Sequence, residues 1–235
     1  RWYAKYITTK IPFVTVKLAS SLDGRIASSA GDSKWITGEA SRRLVHRMRA
    51  GSDAVMAGAS TVLKDDPLLT VRLVRGKNPL RVIVDGSFRI PLSSRIFNPA
   101  SGRAGGAGVL MFTTREASLK KISRARRIGA EVAVVRKSAG RVDLKEVLKE
   151  LGKRSVTSLL VEGGGRLAAS FLKQGLCDKL SLFIAPVVVG GDGVPSVASI
   201  GVKRIKDALR LKDIAVKRIG EDILIEGVPE IRLGE

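Results

Sequence analysis

Short apolar, β-branched runs alternate along this chain with stretches whose apolar residues recur every three to four positions, a pattern that predicts an α/β domain with a largely parallel sheet. The runs at residues 13–18, 54–57, 80–84, 109–112, 131–135 and 158–161 read as strands, and two further apolar runs, 179–184 and 223–225, lie near the C-terminus. Residues 39–49 form the clearest helix: Ala40, Leu44, Val45 and Met48 make one stripe, Thr37 can cap its start and Gly51 can end it. A second helix is expected over 143–153, with Leu144, Val147, Leu148 and Leu151 on one side, and a third from Gly165 to about Lys173. Residues 99–108, rich in Gly, Ala and Ser, suit a surface loop, and no internal repeat is visible.

Length and composition narrow the class. With 235 residues, 44% of them hydrophobic, the chain can bury a substantial core. Its apolar stretches fall well short of the roughly 20 residues that cross a bilayer, so no membrane association is expected. The first ten residues alternate basic and aromatic side chains and do not read as a signal peptide; a cytoplasmic location is the default expectation. One cysteine, Cys177, cannot form an internal disulfide. Lys and Arg total 42 against 22 Asp and Glu, giving +20. Such an excess attracts anions: nucleic acid, or a polyphosphorylated cofactor and substrate. Aromatic residues at 4% and scattered basic positions argue against nucleic acid, where bases stack on aromatic platforms. Asn occurs only at 78 and 98 and Gln only at 174, a depletion of labile amides that fits a heat-adapted, thermophile source.

Three segments could carry chemistry. In Leu159-Leu-Val-Glu162-Gly-Gly164-Gly165-Arg166-Leu167-Ala168-Ala169-Ser170 an apolar strand turns through three glycines into a helix, so backbone N–H groups and the positive end of the helix dipole meet at an anion site. Its Gly-x-Gly-x-x-Ala spacing is weak evidence for a Rossmann site, because the motif comes late and the next strand, ending near Ala185, carries no acid for a ribose. Glu162 sits at the strand's carboxyl end, where ligands of open α/β sheets bind. The second segment, Asp53 to Arg72, has a strand ending at Gly58, then a polar connection that can present Thr61 and Asp65 to a ligand and Arg72 to a phosphate; its Asp66-Pro67 step is expected to be extended. The third runs from Lys17-Leu-Ala19-Ser-Ser-Leu-Asp23-Gly24-Arg25 to Ser33-Lys-Trp35-Ile-Thr37-Gly38, where a tryptophan before a helix cap suggests that something flat covers it. Tight turns, a carboxylate bonded to its own turn and an indole packed on its helix are the plain structural readings of the same residues.

One histidine, His46, and one cysteine cannot build a His/Cys/Cys zinc site, so no metal is expected. His46 reads as a helix-surface residue. No nucleophilic triad is evident, which leaves redox chemistry with a soluble cofactor as an option.

Together, Lys17-Leu-Ala-Ser-Ser-Leu-Asp-Gly24, Ser33-Lys-Trp-Ile-Thr37, Gly58-Ala-Ser-Thr-Val-Leu-Lys-Asp-Asp-Pro67 and Val161-Glu-Gly-Gly-Gly165 closely resemble the reductase family of riboflavin biosynthesis, over roughly residues 11–228. In bacteria this is usually the C-terminal half of a bifunctional deaminase/reductase. The resemblance implies a fold similar to dihydrofolate reductase over a single domain at 11–230, preceded by a segment, 1–10, similar to the bacterial interdomain linker. It implies NADPH as cofactor and a homodimer. It assigns Ala19, Trp35, Thr61, Asp65 and the Gly164, Gly165, Arg166, Leu167, Ala168, Ala169, Ser170 segment to NADPH, and Ser33, Arg49, Leu69, Arg72 and Glu162 to the substrate. Where relatives often place a serine beside the cofactor, this chain has Gly86 followed by Ser87, so Ser87 or Arg89 is left to meet a 2′-phosphate. The implied reaction reduces the ribosyl group of 5-amino-6-(5-phosphoribosylamino)uracil, with Glu162 or Asp65 managing a proton. Three alternatives stay open: the 2,5-diamino precursor as substrate, a dihydrofolate-type reductase, and a basic nucleic-acid-binding domain.

Overall fold

The computed structural model describes residues 2–98 and 108–230. The surface loop expected over 99–108 lies, apart from Gly108, outside the described residues. The elements run α1 (Trp2–Thr9), β1 (Phe13–Ser21), β2 (Arg25–Ala27), α2 (Glu39–Ala50), β3 (Ala54–Gly58), α3 (Ala59–Asp65) and β4 (Leu80–Val84). Then come β5 (Val109–Thr113), α4 (Leu119–Arg127), β6 (Glu131–Val134), β7 (Lys137–Ser138), β8 (Arg141–Val142), α5 (Leu144–Lys153) and β9 (Ser158–Glu162). The chain ends with α6 (Gly165–Lys173), β10 (Lys179–Ala185), β11 (Val194–Pro195), β12 (Arg210–Ile219) and β13 (Asp222–Glu230). This is an α/β fold with a mostly parallel central sheet, flanking helices and antiparallel C-terminal strands. No helix among the described residues is long and apolar enough to cross a membrane.

The chain forms two compact units: the residues up to Phe13 with His46–Leu160, and Val14–Val45 with the residues from Val161 on. In the first unit β3, β4, β5 and β6 lie side by side and all parallel. Ala54, Val55, Met56 and Ala57 are all fully buried, as expected of a parallel strand covered on both faces. Val55, Ala57, Ile83 and Met111 share one core with Val62 of α3, Ile122 of α4, the loop residues Phe88 and Ile90, and Ile96 of a short 3-10 helix (Arg95–Phe97). In α5, Asp143 caps the start by accepting from the amides of Lys145 and Glu146, and Leu144, Val147, Leu148 and Leu151 are buried.

In the second unit β1 pairs parallel with β10, β10 antiparallel with β13, and β13 antiparallel with β12, which ends the sheet. β1 alternates: Val14, Val16 and Leu18 are buried and their neighbours half-buried. β2 and β11 form a separate short ladder, Val194 opposite Ala27 and Pro195 opposite Arg25.

The structure corrects four expectations. Thr61 and Asp65 lie in helix α3, not in an irregular connection. Asp66 is not extended but left-handed, at φ 41° and ψ 56°, because it ends α3: its N–H donates to the Val62 carbonyl, and its carboxylate accepts from the Arg95 amide at 2.8 Å. His46 is buried rather than on the helix surface. In α2, Ala40 is exposed, and Ser41, Val45 and His46 are the buried positions, so the inward face is rotated from the expected stripe.

Candidate active site

In the second unit, Ala19 lies on β1 opposite Phe183, followed by the buried Ser20 and Ser21. The loop beyond β2 closes on itself: Ser28 N–H donates to the Asp32 carbonyl at 2.9 Å, and the amides of Asp32 and Lys34 donate to Ser28 Oγ and the Asp32 carboxylate. It carries the half-buried Ser33 and then Trp35, whose side chain is 71% exposed. The Trp35 indole does not pack into the protein core; the Arg42 guanidinium lies 4.8 Å from its ring centre and donates to the Thr37 carbonyl at 2.8 Å. A cation on one face of an otherwise exposed ring leaves a flat apolar surface at the start of α2. The turn into α2 is held by the buried Asp222, which accepts from the Gly38 amide at 2.8 Å.

β9 ends at the half-buried Glu162, and Gly164 is the N-cap of α6, extended at φ −67° and ψ 163°. Gly164 has no side chain to cap the helix, and the Leu167 and Ala168 amides already turn back to its carbonyl. The first amides of such a helix, with the dipole behind them, favour an anion. Gly165 has a separate reason to be glycine: a Cβ there would stand 2.7 Å from the Pro195 carbonyl oxygen and 2.9 Å from that of Ser196. Along α6, Ala168 and Ala169 are buried, Arg166 is exposed, and Ser170 donates back to the Arg166 carbonyl.

In the first unit, Thr61 and Asp65 are four residues apart on α3 and therefore share one helix face, both half-buried. Leu69 is buried at φ 53° and belongs to the core of this unit. The next residue, Thr70, is also buried and gathers two arginines. Its carbonyl accepts from Arg49 at 3.0 Å and from Arg72 at 3.4 Å, and its hydroxyl oxygen takes Arg72 at 2.8 Å. The Arg72 backbone N–H in turn donates to His46 Nδ1 at 2.9 Å. Two guanidinium groups meeting on one carbonyl present planar donors of the kind that can bind a phosphate.

Beyond β4, Asp85 is buried and accepts from Ile90 N–H at 2.9 Å and from Arg89 Nε at 3.3 Å, while Ser87 is exposed. The Gly86 carbonyl accepts from the Thr114 amide and from both threonine hydroxyls, Thr113 and Thr114. A Cβ at Gly86 would meet only ordinary neighbours at 3.6 and 3.7 Å, so space does not dictate the glycine there. His46 and Thr70, to which the sequence assigns no part in a site, are what hold Arg49 and Arg72 together. No spacing rule marks a histidine that accepts from a backbone amide 26 residues away.

Comparison with known proteins gives this geometry a family. The model of the RibD C-terminal domain matches residues 12–225. A relative named riboflavin biosynthesis protein RibD, from Aquifex aeolicus, is 37% identical over 221 residues, which cover 94% of this chain and 58% of that protein. The chain thus spans less than two thirds of that relative. A 2,5-diamino-6-ribosylamino-4(3H)-pyrimidinone 5′-phosphate reductase from Archaeoglobus fulgidus is 38% identical over 224 residues, covering 91% of this chain and 96% of that one. Among solved structures, Acinetobacter baumannii RibD superposes with a TM-score of 0.83 at 30% identity, covering 98% of this chain and 61% of that one. On this similarity over nearly its whole length, the chain belongs to the RibD C-terminal domain family.

Proposed function

We propose that this chain is an NADPH-dependent reductase that converts the ribosyl group of 5-amino-6-(5-phosphoribosylamino)uracil to the ribitylamino product in riboflavin biosynthesis. The observation that carries this reading is the convergence of Arg49 and Arg72 on Thr70, in a chain so similar to reductases of phosphorylated ribosylaminopyrimidines. In this reading the arginine pair holds the 5′-phosphate, with Ser33 and Leu69 completing the substrate contacts.

The second unit's residues fit a dinucleotide. The start of α6, from Gly164 to Ser170, which opens on two glycines, takes the phosphates, and Ala19 and the exposed Trp35 ring supply flat and apolar contact. Thr61, Asp65 and Ser87 are assigned to the cofactor on the family resemblance alone. NADPH held there would supply the hydride, and the sugar carbon C1′ becomes electrophilic when the substrate's glycosylamine opens to an iminium. As the bond from C1′ to the ring oxygen breaks, that oxygen takes a proton to become a hydroxyl, and Glu162 or Asp65 provides it, directly or through water.

The A. fulgidus relative, aligned over 96% of its own length, favours a second reading: the substrate is the 2,5-diamino pyrimidinone that has not yet lost its amino group. The two readings separate when NADPH absorbance is followed while each pyrimidine phosphate is offered in turn. Turnover of the uracil form supports the first, and turnover of the diamino form alone supports the second. Consumption of NADPH with dihydrofolate only would reject both.

The active form is a homodimer in this reading. Strand β12 lies at the sheet edge with Ile214 and Val216 exposed, the kind of edge that a second chain covers.

A further inference from the structure

The segment after β10, Pro186-Val187-Val188-Val189-Gly190-Gly191-Asp192-Gly193, has little apolar burial to hold it: Val187 and Val188 are 43% and 73% exposed. Polar bonds hold it instead, and they converge on one carboxylate. Asp23, in the turn after β1, accepts from the Gly190 amide at 2.7 Å, the Val189 amide at 3.1 Å and the Ser21 hydroxyl at 2.6 Å. Ser21 Oγ also accepts from the Arg25 amide at 2.8 Å, and Leu22 N–H donates to the Val187 carbonyl. Gly190 reaches Asp23 from φ 106°, a conformation open to glycine, and Gly193 packs so closely that a Cβ would stand 2.9 Å from Arg25 Cγ.

The stitching continues to the start of α6. Beyond Gly193 the chain pairs with β2 as β11, Ser196 N–H donates to the Gly24 carbonyl at 2.9 Å, and Ala198 N–H donates to the Gly165 carbonyl at 3.1 Å. The Pro195 and Ser196 carbonyls and the Ala198 nitrogen are the atoms that leave no room for a Cβ at Gly165. An unbroken set of bonds therefore links the Asp23 carboxylate to the first residue of α6.

We infer that Asp23 is a positioning residue for the cofactor: by clamping Val189 and Gly190 it sets the Pro195–Ala198 stretch against Gly165 and so fixes the helix start that binds the dinucleotide's phosphates. This rests on the reading of that helix start as the NADPH site. Asp23 touches no reacting atom, so its removal weakens cofactor binding and leaves the chemical step alone.

The test uses the whole protein and three proteins in parallel: unmodified, Asp23→Asn and Ser21→Ala. NADPH is titrated by nucleotide fluorescence, steady-state kinetics are measured, and amide hydrogen exchange is followed without ligand. Asp23→Asn is expected to weaken NADPH binding about tenfold, the size expected when charge-assisted hydrogen bonds are removed. Its kcat at saturating NADPH should stay within about twofold, since an interaction that is equally strong in the ground and transition states sets affinity and not kcat. The Val189, Gly190, Ser196 and Ala198 amides should exchange faster in the same variant, and Ser21→Ala should show the same changes to a smaller degree. Faster exchange at 189 and 190 with unchanged NADPH affinity would overturn the inference while leaving the cofactor site intact. If the unmodified protein bound no NADPH, the site reading would fall first and the inference with it.

Discussion

Arg49 of α2 and Arg72 of the segment before β4, 23 positions apart in the chain, donate to the same oxygen, the Thr70 carbonyl, at 3.0 and 3.4 Å. In the proposed reading the two planar guanidinium groups, held by one acceptor, take the substrate's phosphate between them. Replacing either arginine by lysine keeps the charge but removes the planar fork. Each variant is expected to raise KM for the phosphorylated substrate about tenfold or more, the effect of about 1.5–3 kcal/mol for hydrogen bonds to a charged group. KM for NADPH should not change. Steady-state kinetics with both substrates varied checks this, and equal effects on both would disconnect the arginines from the phosphate.

His46 fixes that pair through the main chain, accepting the Arg72 amide at Nδ1 from a buried position. His46→Phe preserves much of the volume but takes this acceptor from the amide, at a cost of about 1–3 kcal/mol. Thermal unfolding should reveal the reduced stability, and KM for the substrate should rise with KM for NADPH unaltered. Unchanged stability would mean that the amide finds water instead.

Glu162→Gln tests the proton. The amide is isosteric and half-buried like the carboxyl it replaces, so NADPH affinity should persist while kcat falls by about a hundredfold or more, the usual contribution of a general acid or base. A kcat equal to that of the unmodified protein would remove Glu162 and leave Asp65.

Gly165→Ala puts a methyl group 2.7 Å from the Pro195 carbonyl, and backbone cannot swing aside as a side chain can. The variant should lose about 1–3 kcal/mol of stability and most of its NADPH affinity. Retained affinity would show that the Pro195–Ala198 stretch moves freely against α6.

The Asp23 clamp also carries a pH dependence. The Ser21 hydroxyl first, then the Gly190 and Val189 amides, hold the Asp23 carboxyl down to about 2, below the ordinary 3.8. A depressed carboxylate stabilises the fold above its unfolded value and loses that contribution as the pH falls from 3.8 through about 2. Protection of the Val189 and Gly190 amides, taken relative to their intrinsic exchange rates, should fall across that interval in the unmodified protein and show no such step in Asp23→Asn.

Where the sequence reading matched the structure, burial dictated composition. Strand 80–84 and helix 165–173 were readable residue for residue, because Val82 and Ile83 are packed on both faces and because Ala168, Ala169, Phe171 and Leu172 form the inward face of α6. Strand β12 was invisible for the opposite reason. Nearly all of it is exposed, and a register shift between Lys212 and Ala215, with Asp213 at φ 50°, breaks whatever alternation it has. Helix α3 is seven residues long and buries only Ala59 and Val62, too few to set a period. The basic and polar residues around Ile122 and Ala125 hid α4 in the same way. The glycine-to-helix turn is visible in its motif, and the two arginines are assigned to the substrate only through the family resemblance. The carboxylate that stitches residues 189 and 190 to the turn after β1 could not, since a hydrogen bond spanning 166 or 167 positions leaves no local trace.

In the proposed reaction a hydride passes from the reduced cofactor to the sugar carbon of a phosphorylated aminopyrimidine. Turnover with NADPH carrying deuterium at both C4 positions tests it most directly, with the product analysed by mass spectrometry and NMR. A ribitylamino product heavier by a single deuterium, located at C1′, is the predicted result; an unlabelled product, or deuterium on the pyrimidine ring, would contradict it.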